Sequence, residues 1–405
     1  MATHTELRFA FGKGGLLPQE EMLEVGKKSK RLFIGVPRED NRVENRTPLT
    51  PEGVEILVNQ GHEILIESNA GKMANYSDSD YSERGATIVE NVKSVFQADI
   101  VLKVNPPSMA QIEMMHGNQI LISSMLLTNQ SEDYFKQLMQ KKITALAYEN
   151  IKDETGEYPV IRSMSAISGN TSVLVASELL SSSHGGKGVL LGGITGITPA
   201  EVVIIGAGKA AEFAARAANG LGAFVKVFDN SIERLIQLQN NVGMRLYTSV
   251  YHPQVLQKAL RSADVVIATQ QTFDHGPRFY MTEDMVKNMK RGTVIVDLSI
   301  AHGGYIETSE LRTQENPTYI KHGIVHYSIP NIPSRVARSS SIALSNVFLP
   351  MLLKAAEAGG FHQQMKNDIG LRHGVYIFNG ILTNSFIGNY FNILSKDIDL
   401  LMAAF

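Results

Sequence analysis

A chain of 405 residues with 43% apolar and 19% charged residues is typical of a compact globular protein, and it is long enough that we expect two domains. Its 38 basic residues nearly balance its 40 acidic ones, which argues against nucleic acid or an anionic membrane surface as a partner. The absence of cysteine excludes disulfides, thiolate metal sites and a cysteine nucleophile, and we predict no metal site.

The N-terminal residues 1–30 are predicted to be an extension, and they lack the long apolar core of a signal peptide. The most apolar later segment, residues 339–360, is interrupted by Asn346, Pro350 and Lys354, so it predicts a buried helix rather than a membrane span. A cysteine-free composition also fits a reducing compartment. These features predict a cytoplasmic protein with no membrane partner.

Short apolar runs alternate with helical patterns from residue 31 onward. Residues 31–37 predict a strand, and residues 50–61 predict a helix with Thr50 as N-cap, Pro51 in its first turn and Gly61 at its end. Further strands are predicted at 62–68, 99–105, 119–125 and 143–149. Strands separated by helices pair in parallel, because a crossover helix returns the chain in the same direction.

A helical pattern within residues 163–186 leads to a second unit of the same kind. Its predicted strands are 200–208, 223–229, 263–270, 292–299 and 323–329, and a long helix follows from about Ser339. We therefore predict an α/β fold of two Rossmann-like doubly wound domains, with the second inserted between two segments of the first. The predicted domains are 31–160 with 338–405, and 161–337.

The stretch VVIIGAGKAA, residues 202–211, predicts a nucleotide-binding loop between a strand and a helix. Gly206 permits the tight turn, Gly208 lets a pyrophosphate approach the backbone, and Ala211 keeps the helix close to the strand. The next strand ends in Asp229, roughly 20 residues on, where an acid binds ribose and repels a 2′-phosphate. We therefore predict NAD as cofactor of domain 161–337; the alternative is a Rossmann-like turn without a nucleotide.

The first unit has basic residues in two places, a loop after its first predicted strand and an apolar strand further along. The loop 35–54 holds Arg38, Arg42 and Arg46, each of which is by default a solvated surface arginine. Lys103 is different, because it interrupts the apolar strand DIVLKVN, and a buried lysine is costly unless it is paired or used.

The order of six motifs resembles the alanine dehydrogenase family, which includes the NAD-binding portion of proton-translocating transhydrogenase. The motifs lie between about Leu32 and about Ser345: GVPREDNRVENRTPLTPEGV, DIVLKVNPP, ALAYENI, GGKGVLLGGITGITPAEVVIIGAGKAA, VDLSIAHGG and PNIPS. The resemblance implies a two-domain subunit with NAD(H) in the cleft that interconverts an amino acid and its 2-oxo acid plus ammonia. It also implies a homo-oligomer.

The resemblance assigns roles to individual residues. It implies that Arg46 is the carboxylate-binding arginine, which a bidentate guanidinium suits, and that Lys103 contacts the carboxylate or carbonyl oxygen of the substrate. The residues that it implies on the cofactor side are Ser165, Gly206, Gly208, Ala211, Asp229 and, near the nicotinamide, Asn331.

Two positions depart from the family. Its members carry a histidine after the strand that here reads QILISSM, where this chain has Leu126, and an aspartate before the glycine pair of IAHGG, where it has Ala301. Oxidative deamination needs positioned acid–base groups, which typically contribute about 10²–10⁴-fold. His302 suits that task chemically, although neighbours on an extended chain alternate faces. Tyr148 and Glu149 are further candidates.

Three functions stay open on the sequence. The one that we adopt is an NAD-dependent amino-acid dehydrogenase of the alanine dehydrogenase type, with a saccharopine-type enzyme acting on a bulkier amine as its variant. The second is a transhydrogenase-like module, which accommodates Leu126 but whose Arg-Gln…Asp loop would fall where this chain has Val160, Arg162 and Ser165. The third is a non-catalytic NAD-binding regulator, which would not require Lys103.

Overall fold

The computed structural model of the chain describes residues 29–127, 130–269 and 280–404, except for the side chains of His302 and Ala404. The predicted N-terminal extension, residues 1–30, therefore lies outside the described residues apart from its last two. The strands are β1 Phe33–Val36, β2 Glu63–Glu67, β3 Thr87–Val89, β4 Ile100–Leu102, β5 Ile120–Ser123, β6 Thr144–Ala147, β7 Glu201–Ile205, β8 Phe224–Asp229, β9 Tyr247–Val250, β10 Val265–Ala268, β11 Val294–Asp297, β12 Thr318–Lys321, β13 Ile324–Tyr327, β14 Val375–Phe378 and β15 Ile381–Leu382.

The α-helices alternate with these strands. They are α1 Pro51–Asn59, α2 Asp78–Ser82, α3 Val92–Val95, α4 Met109–Met114, α5 Glu132–Gln140, α6 Pro159–Leu179, α7 Lys209–Gly220, α8 Ile232–Val242, α9 Pro253–Ser262, α10 Glu283–Lys287, α11 Ala337–Glu357, α12 Phe361–Asn367, α13 Ile369–Arg372, α14 Ser385–Phe391 and α15 Ile398–Ala404. Helix α1 begins as its sequence predicts, because the Thr50 hydroxyl accepts from the amide of Gly53 at 3.3 Å. It ends where Gly61 turns left-handed, with φ 84°.

The first sheet has eight strands in the order β15-β14-β6-β5-β4-β1-β2-β3. Strands β1 to β6 pair in parallel, whereas β14 and β15 are antiparallel additions at one edge. The strand order reverses between β1 and β4, so the carboxyl ends of these two strands border a crevice of the kind in which open α/β sheets bind ligands.

The second sheet has seven strands in the order β12-β13-β11-β10-β7-β8-β9. All neighbours pair in parallel except β12, which is antiparallel to β13. Its order reverses between β7 and β10, directly beside the glycine loop that follows β7. Each sheet thus repeats the doubly wound order, and the predicted α/β fold class is confirmed.

The C-terminal segment returns to the first sheet. Strand β14 pairs with β6, and Val375 and Phe378 share a hydrophobic core with Leu146. The first sheet is therefore built from two chain segments, one that precedes the second sheet in the sequence and one that follows it, as an inserted second domain requires. The exact domain limits stay a prediction.

The long apolar segment forms an interior helix of the first unit. Within the described residues, Ile332–Glu357 is the one helical segment long and apolar enough to cross a membrane by length and composition alone. However, Leu344, Phe348 and Leu352 of this segment are fully buried in the core beneath the first sheet. That packing is what the interrupted sequence of residues 339–360 predicts.

Candidate active site

A buried ion pair lies in the loop between β1 and α1. The Nε and one Nη of Arg46 donate to the two carboxylate oxygens of Glu44 at 2.7 and 2.6 Å. Glu44 is fully buried and Arg46 is only 8% exposed. Burial opposes both charges, but each partner outweighs it: the pKa of Glu44 is lowered and that of Arg46 is raised. The pair therefore stays charged at physiological pH.

Two serine hydroxyls hold this loop in place, one from the turn Ile332–Val336 that precedes α11 and one from the first turns of α11. The amide of Asn45 donates to the Ser334 hydroxyl at 2.8 Å, and the amide of Thr47 donates to the Ser341 hydroxyl at 2.9 Å. Both serines are buried. Because the amides on either side of Arg46 are anchored, the backbone that carries its guanidinium is fixed to the long helix.

Asn331 connects the second sheet to this ion pair. It follows β13, and its amide nitrogen donates to a Glu44 carboxylate oxygen at 2.7 Å and to the Val43 carbonyl at 3.3 Å. The structure thus brings Asn331 and Arg46 together through Glu44. The predicted position of Asn331 near the nicotinamide stays a prediction.

A second buried ion pair lies where the first sheet reverses its strand order. The Nζ of Lys103, just after β4, donates to Glu39 at 2.8 Å, and the other Glu39 oxygen accepts from the Val104 amide at 2.7 Å. Lys103 is 2% and Glu39 6% exposed. Burial raises the pKa of Glu39 even against the charge of Lys103. Lys103, predicted within an apolar strand, lies just beyond the end of β4 and is paired, as its burial demands.

Tyr148 and Glu149, the further acid–base candidates, follow β6 at the same edge of the sheet. The Tyr148 hydroxyl donates to the Val104 carbonyl at 2.8 Å, and burial raises its pKa. One oxygen of Glu149 accepts from the Met125 amide at 2.7 Å, while its other oxygen has no hydrogen-bond partner among the described residues. Burial raises the pKa of Glu149 above its usual value.

The two positions that depart from the family lie at strand ends. Leu126 adopts a left-handed backbone with φ 42°, and its side chain is 43% exposed. Ala301 lies in the turn Ile300–His302 that follows β11, before Gly303 with φ 96°. The side chain of His302 lies outside the described residues, so its predicted catalytic role stays a prediction. Neither Leu126 nor Ala301 can hold a proton.

The glycine loop has the geometry that a bound pyrophosphate requires. Gly206 has φ 103°, which favours glycine, and its amide donates to the Phe228 carbonyl at 2.7 Å. Gly208 caps α7, and no atom lies within 4 Å of a Cβ built on it, so a ligand has room there. Ala211 is fully buried behind the loop. These observations fit a dinucleotide at the N-terminus of α7.

Asp229 ends β8 beside this loop. One of its oxygens accepts from the Ala207 amide at 2.7 Å, and the other accepts from an Nη of Arg234 at 2.8 Å. Ser165, on α6, lines the same pocket as the glycine loop and Asp229. The structure thus brings together the residues predicted on the cofactor side apart from Asn331, which lies beside Arg46.

Several site residues were missed from the sequence. Glu39 and Glu44 are the partners of the two buried cations, and Met164 contacts Arg46 through its sulfur at 3.1 Å. The ENR spacing of Glu44 and Arg46 was a signal for the first pair. Met164 lies more than a hundred residues away along the chain, and no local pattern indicates its contact.

Comparison with known proteins identifies the family. Residues 35–168 match the family model "Alanine dehydrogenase/PNT, N-terminal domain", and residues 172–385 match "Alanine dehydrogenase/PNT, C-terminal domain". A relative named alanine dehydrogenase from Staphylococcus epidermidis is 38% identical over 369 residues, which are 91% of this chain and 99% of the relative. Alanine dehydrogenase 2 of Staphylococcus aureus is 37% identical over 370 residues, again 91% and 99% of the two chains.

Solved structures agree with this. An L-alanine dehydrogenase has a TM-score of 0.83 at 34% identity and covers 89% of this chain and 99% of its own. A transhydrogenase from Sinorhizobium meliloti has a TM-score of 0.72 at 22% identity, over 86% and 97% of the two chains, and that likeness concerns the fold alone.

Fold and site together define the class: an NAD-dependent oxidoreductase built from two doubly wound sheets. Within that class, the chain belongs to the alanine dehydrogenase/PNT family. The predictions of the family, the fold class, the NAD cofactor and the oxidoreductase class are confirmed.

Proposed function

We propose that the chain catalyses the NAD-dependent oxidative deamination of L-alanine to pyruvate and ammonia, and its reversal. The observation that carries this proposal is the pair of buried cations, Arg46 and Lys103, at the carboxyl edge of the first sheet. A 2-oxo acid has a carboxylate and a carbonyl oxygen, and both are acceptors for such cations. Relatives that match nearly the whole chain are named alanine dehydrogenases.

Arg46 binds the substrate carboxylate in this proposal. Glu44 uses the edge of the guanidinium formed by Nε and one Nη. The edge formed by the two Nη atoms has no carboxylate partner among the described residues, and a planar carboxylate fits it bidentately. Glu44 therefore orients the guanidinium and leaves its other edge to the substrate.

Lys103 acts on the oxygen at the α-carbon. Its ammonium group has three N–H donors, of which Glu39 uses one. A second can donate to the carbonyl oxygen of pyruvate and stabilise the negative charge that develops there. NAD, when bound, supplies the acceptor for the hydride of the substrate α-carbon. His302 stays the predicted third participant.

Proton transfer needs a donor, because Leu126 and Ala301 provide none. Lys103 and Glu39 form a buried donor–acceptor pair, and the raised pKa of Glu39 suits a carboxyl group that takes up a proton. We assign proton transfer at the α-carbon oxygen to Lys103. In oxidative deamination, Glu39 takes a proton from the Lys103 ammonium, and the neutral amine takes the hydroxyl proton of the carbinolamine as ammonia leaves; in the reverse reaction the protons return by the same route.

A non-catalytic regulator fits these contacts less well. Two ion pairs carry a desolvation cost, and a protein that only binds NAD could replace them by apolar side chains. The transhydrogenase-like function has no specific support beyond a shared fold.

Three broader expectations belong to the same proposal. The domain limits 31–160 with 338–405, and 161–337, fit the pairing of β14 with β6. A cytoplasmic location fits the cysteine-free composition. A homo-oligomer fits the exposed apolar side chains of the turn at residues 190–197, where Leu190, Ile194 and Ile197 are 60%, 63% and 58% exposed.

The test follows NADH absorbance with purified protein, ammonium and a panel of 2-oxo acids. We expect the highest kcat/KM with pyruvate, and NADH formation from L-alanine in the reverse direction. Turnover restricted to larger 2-oxo acids would contradict the assignment of L-alanine and pyruvate as the substrates. Tight NADH binding without turnover of any 2-oxo acid would contradict the dehydrogenase function itself.

A further inference from the structure

A methionine sulfur contacts the substrate side of Arg46. The Nη atom that makes no bond to Glu44 lies 3.1 Å from the Sδ of Met164. Met164 is partly buried on α6, next to Ser165 of the cofactor pocket. A thioether is a weak hydrogen-bond acceptor, so a substrate carboxylate displaces it easily.

We propose that Met164 is a redox-sensitive modification site, and that its oxidation by a peroxide blocks the place of the substrate carboxylate on Arg46. This inference rests on the proposed function, because it concerns regulation of the same site. Methionine sulfoxide is polar, and its oxygen is a far better acceptor than a thioether sulfur. Formed beside the Arg46 Nη, that oxygen accepts its N–H.

The geometry favours the sulfoxide oxygen over a free substrate. The oxygen is tethered to α6, so it competes as an intramolecular ligand with a high effective concentration. The sulfoxide oxygen leaves the two hydrogen bonds from Arg46 to Glu44 intact, because those bonds use Nε and the other Nη of the guanidinium. The glycine loop and Asp229 do not contact Met164 through any described hydrogen bond. Oxidation is therefore expected to weaken carboxylate binding and to spare NADH binding.

The chemistry balances with hydrogen peroxide as the co-reactant. A lone pair of the Met164 sulfur attacks one peroxide oxygen, an S–O bond forms and the O–O bond breaks. Sulfur loses two electrons, and the departing hydroxide takes the proton of the transferred oxygen and leaves as water. Methionine sulfoxide reductases, with a thiol reductant, return the thioether.

The composition makes such an effect straightforward to assign. The sequence has no cysteine and no tryptophan but 16 methionines, so a loss that a methionine sulfoxide reductase reverses cannot come from a thiol. Met73 lies on a different element, the turn Lys72–Ala74, and is 45% exposed. It is a readily oxidised sulfur that makes no described contact with Arg46, and Met73→Leu is therefore the matched control.

The test treats the purified full-length protein with hydrogen peroxide, removes the peroxide with catalase, and measures the KM for pyruvate and the affinity for NADH. Wild type and Met73→Leu should show a KM raised about tenfold or more, since a hydrogen bond to a charged group is lost. NADH affinity should not change, and methionine sulfoxide reductase should restore the KM. For Met164→Leu, the KM should be equal before and after treatment.

Mass spectrometry of the peptide that contains Met164 gives the second readout. The proposal is overturned if Met164→Leu loses pyruvate affinity as much as wild type does. It is equally overturned if Met164 is fully oxidised with an unchanged KM, or stays reduced while Met73 oxidises. Untreated protein that binds NADH but no pyruvate would instead refute the proposed function; the same comparison with another 2-oxo acid then decides the role of Met164.

Discussion

Each of the two cations of the candidate site is buried together with a carboxylate partner from the first unit. Arg46 pairs with Glu44 and Lys103 with Glu39, and all four side chains are less than a tenth exposed. Removing one member of such a pair strands a buried charge and typically destabilises a protein by about 3–5 kcal/mol. Substitutions that keep the charge are therefore the informative ones at these positions.

Glu149 should make stability depend on pH. Burial raises its pKa in the folded protein, so the folded state holds the proton more tightly than the unfolded state does. The contribution of Glu149 to stability is then fully present below its unfolded pKa, near 4.5, and is lost as pH rises through the folded pKa. We expect Glu149→Gln to raise the melting temperature by a few degrees at pH 8 and to have little effect at pH 4. A constant difference across this range, in thermal melts, would contradict the assignment.

The sequence identified the residues that carry charge but not their partners. Lys103 was recognisable because a lysine in an apolar stretch is costly to bury without a partner, and Arg46 because it lies in a motif of the family. Glu39 lies 64 positions from Lys103, and only the side-by-side arrangement of β1 and β4 brings them together. Met164 reaches Arg46 from the helix that links the two units. Such contacts depend on the tertiary fold and leave no local pattern.

The close packing of α6 on α7 sets the position of the cofactor pocket. A Cβ at Gly169 of α6 would lie 2.2 Å from the carbonyl oxygen of Ala210, so only glycine lets the helices approach this closely. Ser165 precedes Gly169 by one turn and lines the pocket with the glycine loop. The helix contact therefore fixes the width of the pocket.

Gly169→Ala should separate the two helices. We expect a loss of about 1–3 kcal/mol in the free energy of unfolding and weaker NADH binding, because α7 presents its N-terminus to the cofactor. The matched control is Gly220→Ala in α7, where a Cβ meets no atom within 4 Å and the change should be neutral or slightly stabilising. Equal effects of both variants, in denaturant melts and NADH titrations, would contradict this role for the contact.

Elements with strong local signals were predicted, and those that depend on neighbours were not. Helix α1 was predicted because Thr50 caps it and Gly61 ends it. Five strands were not predicted. Strands β3, β9 and β12 lie at sheet edges, have three or four residues and are partly exposed, β15 is an edge strand of two residues, and β14 is a buried strand that pairs with the distant β6. Edge strands of this length take their conformation from the adjacent strand rather than from an apolar run.

The exposed apolar turn at residues 190–197 predicts an interface between copies of the chain. Ile194 and Ile197 pair with each other through their backbones and present their side chains outward. We expect Ile197→Asp to lower the molar mass in multi-angle light scattering, because a charge in an apolar interface is not compensated. Ile320→Asp, at an exposed isoleucine on β12, is the control. An unchanged mass for Ile197→Asp would exclude this turn as the contact.

We expect Arg46 to hold the substrate carboxylate through the edge of its guanidinium that Glu44 leaves open. The most direct measurement compares kcat/KM for pyruvate between wild type, Arg46→Lys and Arg42→Lys. A lysine at position 46 keeps the positive charge beside Glu44 but cannot bind a carboxylate with two parallel hydrogen bonds. Arg42 serves as the control, because its side chain is 79% exposed and pairs with Asp40. We predict a loss of about 10²–10³-fold for Arg46→Lys, with NADH affinity retained, and no significant loss for Arg42→Lys. A folded Arg46→Lys variant with the kcat/KM of wild type would contradict the account.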